Sequence, residues 1–206
     1  KRRNGDPYLA HSFATAKNLL VWKLDHETIA AGFLHDVVED AGKSIQEIKK
    51  VFGDNIAFLV DGITKLSKIR FQESEQEKYV ENLRRMFLVM AEDIRVVLIK
   101  LADRIHNMKT LDALPKETRT RIARETIEIY APLAYRLGMG EVKGMLEDLC
   151  FPHLHPDEYK KLMSKVGEKF AETKEYLTRA KPIVETVIAV KTPTIIHRND
   201  IKSLKR

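Results

Sequence analysis

His35-Asp36-Val37-Val38-Glu39-Asp40 and Lys100-Leu101-Ala102-Asp103-Arg104-Ile105-His106-Asn107 are two short polar blocks set inside otherwise apolar, helically spaced sequence. A carboxylate buried in such a run needs a cation or several hydrogen-bond donors, because an unpaired one costs many kcal/mol. Residues four apart share a helix face, so His35 pairs with Glu39 and Asp36 with Asp40. This predicts that His35 and Asp36 point into a common site with Glu39 and Asp40 one turn along its rim. His11 lies on an earlier helix, after the turn-like Gly5-Asp6-Pro7, and Asp103 lies on a later apolar one. Two imidazoles and two carboxylates, with positions left for water, suit Mn²⁺ or a similar ion better than Ca²⁺. The absence of thiolate argues against structural zinc.

Around these blocks the chain reads as almost all helix. Between residues 8 and 151 the only prolines are Pro115 and Pro132. Helical spacing predicts a helix from His11 to Trp22, with Phe13, Ala16, Leu19 and Leu20 on one stripe. Asp25 is an N-cap for a helix from Glu27 to Val38. Ser44 opens another, with Glu47 three residues on to complete a capping box. Further helices are expected at Ile56–Leu66, Tyr79–Met90, Ile94–Leu111, Glu117–Leu137, Val142–Cys150 and Pro156–Thr178. Ser67 to Glu77 is polar and reads as a lid segment. Trp22, Phe33, Phe52, Phe58 and Phe87 fall at helical spacing and are assigned to the core. Pro182 to Val190 is rich in Val and Ile and reads as a strand, followed by a basic tail. A lone strand is marginal, so the chain is expected to stop just inside a second domain.

Composition narrows the partners. The chain has 206 residues, one cysteine (Cys150) and a formal charge of +6. One cysteine excludes an internal disulfide framework and suits a reducing compartment, here taken as the cytoplasm. No apolar run approaches the ~20 residues needed to span a bilayer. Mixed-sign charges alternate along the chain, a pattern of solvated helix faces rather than of a nucleic-acid surface. The opening Lys1-Arg2-Arg3-Asn4 reads as a trimmed start.

Taken singly, the site residues have plainer readings. His11 is an ordinary capping or surface histidine, and Asp103 with Arg104 an ordinary surface pair. Arg104 either contacts phosphate or pairs with a carboxylate, the first being preferred. His106 is either a partner of the site or a core histidine, the second being preferred. It is the joint order His11, His35-Asp36, Asp103 that favours a metal.

That order resembles the HD metal-dependent phosphohydrolases. The surrounding words, Gly5-Asp6-Pro7-Tyr8-Leu9-Ala10-His11, Ala31-Gly32-Phe33-Leu34-His35-Asp36, Asp103-Arg104-Ile105-His106-Asn107-Met108 and Tyr130-Ala131-Pro132-Leu133-Ala134-Tyr135-Arg136-Leu137-Gly138, resemble the hydrolase domain of RelA/SpoT homologues over residues 1 to about 165. Ile196 to Arg206 weakly resembles the opening of that family's synthetase domain.

The resemblance implies an all-α HD-domain helical bundle over residues 1–155, with 156–206 a helical linker and the strand-containing start of a synthetase-like domain. It implies Mn²⁺-dependent removal of the 3′-pyrophosphate from the alarmones ppGpp and pppGpp, giving GDP or GTP and pyrophosphate. By position, His11, His35, Asp36 and Asp103 match the metal ligands, and Glu39 and Asp40 the carboxylate pair that handles the attacking water. Arg2 matches a residue packing on guanine, and Arg3, Asn4, Arg104, Asn107 and Thr110 fall in segments lining the nucleotide pocket. Ser12 departs from the family's usual proline after the first histidine, at small cost since serine also starts helices well. Two alternatives stand beside this: another HD nucleotide phosphohydrolase, and a non-catalytic alarmone-binding module.

Overall fold

The computed structural model describes residues 5, 7–67, 92–166, 178, 181 and 182. Among them all regular structure is helical. The chain divides into two compact units, Lys1–Leu154 and His155–Arg206. Arg2, Arg3, Asn4, residues 68–77 of the lid segment, the helix expected at Tyr79–Met90 with its Phe87, residues 183–190 of the expected strand and the tail beyond all lie outside the described residues. Lys181 and Pro182 are helical.

In the first unit, α1 (Tyr8–Val21) starts directly after Pro7, whose fixed φ of −59° suits helix entry. The helix thus begins before His11, and Ser12 lies inside it. Its buried face is His11, Thr15, Ala16 and Leu19. Phe13 and Leu20, expected on the buried stripe, are exposed, because the face is turned to deliver His11 inward. Asp25 caps α2 (His26–Leu34) as expected, its carboxylate accepting from the Thr28 backbone N–H at 3.0 Å.

The expected helix to Val38 is interrupted. It ends at Leu34, turns at His35-Asp36, and resumes as the short α3 (Val37–Asp40). The Ser44–Glu47 capping box is present at the head of α4 (Ile45–Phe52). Gly53, at φ +89°, turns the chain into α5 (Asp54–Ser67).

α6 (Ile94–Lys109) is the central rod. Val96, Val97, Ile99, Leu101, Ala102 and Ile105 on it are buried, and it packs against α1, α2 and α5. Asn18 of α1 donates to the Ala102 carbonyl of α6 at 3.0 Å. A 3₁₀ turn at Leu111–Ala113 leads to α7 (Lys116–Glu125). The helix expected over Glu117–Leu137 widens to a π turn at Thr126–Tyr130 and continues as α8 (Ala131–Arg136). Pro132 lacks an N–H, and in a regular ladder its ring meets the carbonyl four residues earlier; a widened turn relieves both. α9 (Gly140–Leu154) closes the unit.

Of the aromatics assigned to the core, Trp22 packs against it, but Phe52 and Phe58 are 47% and 46% exposed. They sit on the outward edges of α4 and α5, which apolar spacing alone did not distinguish. In the second unit residues 156–166 are helical.

Candidate metal centre and pocket

α1, the α2–α3 turn and α6 converge on one buried point. His11 Nε2 lies 3.1 Å from His35 Nε2, 3.1 Å from Asp103 Oδ1 and 3.4 Å from Asp36 Oδ2. His35 Nε2 lies 3.1 Å from Asp36 Oδ2 and 3.6 Å from Asp103 Oδ1. Donor atoms about 2.1 Å from one ion stand roughly 3.0 to 3.4 Å apart, so His11, His35 and Asp103 have close to the spacing of a single coordination shell, with Asp36 beside the two histidines. His11, His35 and Asp103 are buried, while the Asp36 side chain is 32% exposed. The centre therefore opens on the Asp36 side. The break in α2–α3 serves this: His35 turns inward while Asp36, the next residue, reaches the same point from the rim.

Hydrogen bonds fix which atoms face the centre. His35 Nδ1 gives its hydrogen to the Gly32 carbonyl at 2.7 Å, which turns Nε2 toward the centre as the nitrogen that offers a lone pair when the ring is neutral. His11 Nδ1 stands 2.7 Å from His106 Nδ1, so His106 contacts a residue of the site and is not the core histidine expected. It lies three residues beyond Asp103 on α6, so the same helix face supplies both.

Lys100 Nζ donates to Asp103 Oδ2 at 2.8 Å and Asn107 Nδ2 to Oδ1. Burial raises the tendency of Asp103 to hold a proton, but the Lys100 charge and the two histidines outweigh it and hold the carboxyl well below the usual range. For His35, burial favours the neutral ring, yet the Asp103 and Asp36 carboxylates raise its pKa to about 10. Carboxylates that converge on one buried point suit a divalent cation there. The donor chemistry, two nitrogens and two carboxylate oxygens, fits such an ion.

Beside the centre lies a pocket of about 410 Å³ lined by Tyr8, Asp36, Glu39, Asp40, Arg104, Asn107, Thr110, Leu111, Ala113, Leu114 and Ile122. Asp36 belongs to both. Glu39 and Asp40, on α3, are exposed along the pocket wall. Of the residues assigned to nucleotide contact, Arg104, Asn107 and Thr110 line the pocket.

Arg104, preferred as a phosphate contact, is pinned instead to protein groups. Its Nη2 donates to Glu125 Oε1 at 2.6 Å, and its guanidinium lies 4.0 Å over the Tyr130 ring. It is buried, so the surface-pair reading of Asp103-Arg104 is also set aside. Glu125 and Tyr130 come from α7 and the π turn, and no local signal near Arg104 announces partners 21 and 26 residues away. Lys100 did carry a signal, its position three residues before Asp103. Its side chain is only 12% exposed. Cys150 is buried, and burial pushes its thiol up to about 12, so it supplies no thiolate.

The HD domain family matches residues 1–140. A Synechocystis protein described as a probable guanosine-3′,5′-bis(diphosphate) 3′-pyrophosphohydrolase is 53% identical over 184 residues, 89% of this chain and 24% of its own length. The Escherichia coli K12 bifunctional (p)ppGpp synthase/hydrolase SpoT is 45% identical over 184 residues, 89% of this chain and 26% of its own. The chain thus spans about a quarter of the length of these curated relatives. A solved metazoan SpoT orthologue that hydrolyses ppGpp is 24% identical with a TM-score of 0.53, covering 74% of this chain and 84% of that one; it supports the fold. The chain belongs to the HD-domain family, and its resemblance to the RelA/SpoT homologues holds over most of its length.

Proposed function

We propose that the chain is an Mn²⁺-dependent hydrolase that removes the 3′-pyrophosphate of ppGpp and pppGpp, yielding GDP or GTP and pyrophosphate in the cytoplasm. The observation that carries this reading is the junction at Asp36, where the buried His11, His35 and Asp103 and the half-buried Asp36 open onto a nucleotide-sized pocket edged by Glu39 and Asp40. The relatives' names and identities support the substrate.

In this reading His11, His35, Asp36 and Asp103 hold the ion. When bound, it lowers the pKa of a coordinated water and offsets phosphoryl charge. Glu39 or Asp40 accepts the water proton from the pocket side. The water oxygen bonds to the phosphorus nearest the ribose, the bond from that phosphorus to the 3′ oxygen breaks, and a proton restores the 3′ hydroxyl. Asn107 and Thr110 position the nucleotide, with Arg104 held in the pocket wall by Glu125 and Tyr130, and phosphoryl transfer depends chiefly on such positioning and on electrostatics. Arg2 stacks on guanine with Arg3 and Asn4 beside it, a use for which planar guanidinium groups are suited. Residues 1–155 form the hydrolase domain, and 156–206 lead toward a synthetase-like domain, the partner activity named for the E. coli relative.

The test is pyrophosphate release from ppGpp by the purified chain, with Mn²⁺ and then with excess chelator. Turnover to GDP with Mn²⁺, abolished by chelator, is the expected result. Tight ppGpp binding with no turnover at any Mn²⁺ level overturns it in favour of a regulatory module. Neither binding nor turnover points to another HD substrate, which a panel of dNTPs and cyclic nucleotides would identify.

A further inference from the structure

The side chain of Lys100 does something unusual for a lysine. It leaves a rod of buried residues, flanked by Ile99 and Leu101 at 0% exposure, and folds back along α6 instead of reaching for water. Its ammonium meets Asp103 Oδ2 at 2.8 Å and Ser67 Oγ, at the end of α5, at 3.1 Å. A buried ammonium is costly unless its charge is matched, and here the match is a residue of the metal centre. Asp103 is therefore held from both sides along one helix face. Lys100, three residues before it, takes Oδ2; Asn107, four residues after it, donates to Oδ1, the oxygen that also faces His11 and His35. Turning the carboxylate so that both oxygens face the centre would break the Lys100 contact.

We infer that Lys100 is a positioning residue of the metal centre: it reserves Oδ2 of Asp103, leaving Oδ1 as a single donor, and it offsets part of the negative charge the centre presents. The inference rests on reading the cluster as a metal site and is independent of which nucleotide the pocket takes. Two consequences follow. An ion in the centre and the Lys100 ammonium are like charges drawing on one carboxylate, so the lysine weakens ion binding. In return, with Oδ2 taken by Lys100, Asp103 would offer a bound ion Oδ1 alone, and the pocket, which bears Asp36, Glu39 and Asp40, repels a polyanion less.

The test is Mn²⁺ affinity, read from loss of the free-ion electron paramagnetic resonance signal, in the parent chain and in Lys100→Gln, Lys100→Met and Lys100→Arg. Removing the charge in Gln or Met is expected to tighten Mn²⁺ binding by about tenfold while kcat for ppGpp falls by about tenfold or more. Arg keeps the charge and is expected to stay within about twofold of the parent in Mn²⁺ affinity. A lysine that merely fills space predicts the opposite sign, since loosening the centre weakens the ion. Mn²⁺ binding in Gln and Met equal to or weaker than the parent's overturns the inference. Should Met fail to fold, Gln, which keeps an N–H for Oδ2, decides alone. If the parent chain takes up no Mn²⁺, the metal reading falls first and this inference with it. If the parent binds Mn²⁺ and the neutral variants match it, only the role of Lys100 falls.

Discussion

Glu39 and Asp40 stand on the pocket wall, apart from the converging donors, so substitutions at the two kinds of position are expected to separate catalysis from ion binding. Glu39→Gln should lower pyrophosphate release from ppGpp by about 10²- to 10⁴-fold, the usual worth of a positioned proton acceptor, with Mn²⁺ affinity unchanged. Asp36→Ala removes a donor and should lower both; unaltered turnover in either variant would place the chemistry elsewhere. The residues that meet at the centre were legible in the sequence because three of the four donors come in two short polar words set in apolar helix, with His11 on a helix before them. What escaped was how their neighbours divide the work. Lys100, His106 and Arg104 were each seen, yet each has a partner fixed by tertiary packing: Ser67 at the end of α5, His11 on α1, and Glu125 with Tyr130. A side chain's choice between two plausible partners is settled by which helix lies opposite, and spacing along one helix does not contain that.

Helix starts were legible wherever a side chain closes the first turn. Asp25 accepts from Thr28 N–H, and Thr28 is fully buried, so Asp25→Ala should lower stability by about 1 kcal/mol, measurable by denaturant midpoint at constant m-value. In α4 the Glu47 carboxyl is lowered to about 2, first by the Ser44 backbone N–H and then by the Lys43 ammonium. A carboxyl lowered on folding stabilises above its unfolded pKa and ceases to as it is protonated. The cap's contribution should therefore be complete above pH 4.5 and fade as pH falls toward 2. A thermal-melt comparison with Glu47→Gln across that range checks it: the two should converge in acid, and a constant gap would assign the effect to something other than the cap's charge. Faces and breaks were less legible. The turn at His35-Asp36 carries no Gly or Pro, and α1 buries a histidine and a threonine where an apolar stripe was read. The contact between those two helices is tight: a Cβ at Gly32 would lie 2.2 Å from Leu19 Cδ1, and Leu19 has no exposed surface into which to yield. Gly32→Ala should cost about 1 to 3 kcal/mol. Because the Gly32 carbonyl also holds His35 and α1 carries His11, the same change should weaken Mn²⁺ binding; a stability loss with Mn²⁺ affinity intact would show that the helices separate without disturbing the centre.

At the scale of the molecule, the all-helical class of the described residues followed from periodicity and from sparse proline, whereas the C-terminal strand reading falls largely outside them. Ion binding should register globally. A ligand that binds only the folded chain stabilises by about 2.7 kcal/mol at a hundred times its dissociation constant, so the melting temperature should rise by several degrees with Mn²⁺ and return with chelator, and His35→Ala should abolish the rise. An identical shift in His35→Ala would mean that Mn²⁺ acts elsewhere. The π turn at Thr126–Tyr130 bears on the molecule in another way. A helix that widens once carries one extra residue in its winding, so α7 and α8 belong to one rod whose halves are out of phase. Deleting a single residue there would restore the regular ladder and rotate everything after it by about 100°. The Tyr130 ring would swing from beneath Arg104, and the faces of α8 that now meet the core would turn toward water. The segment's length is thus as much a specification as its composition, and a one-residue deletion there should do more harm than any single substitution within it.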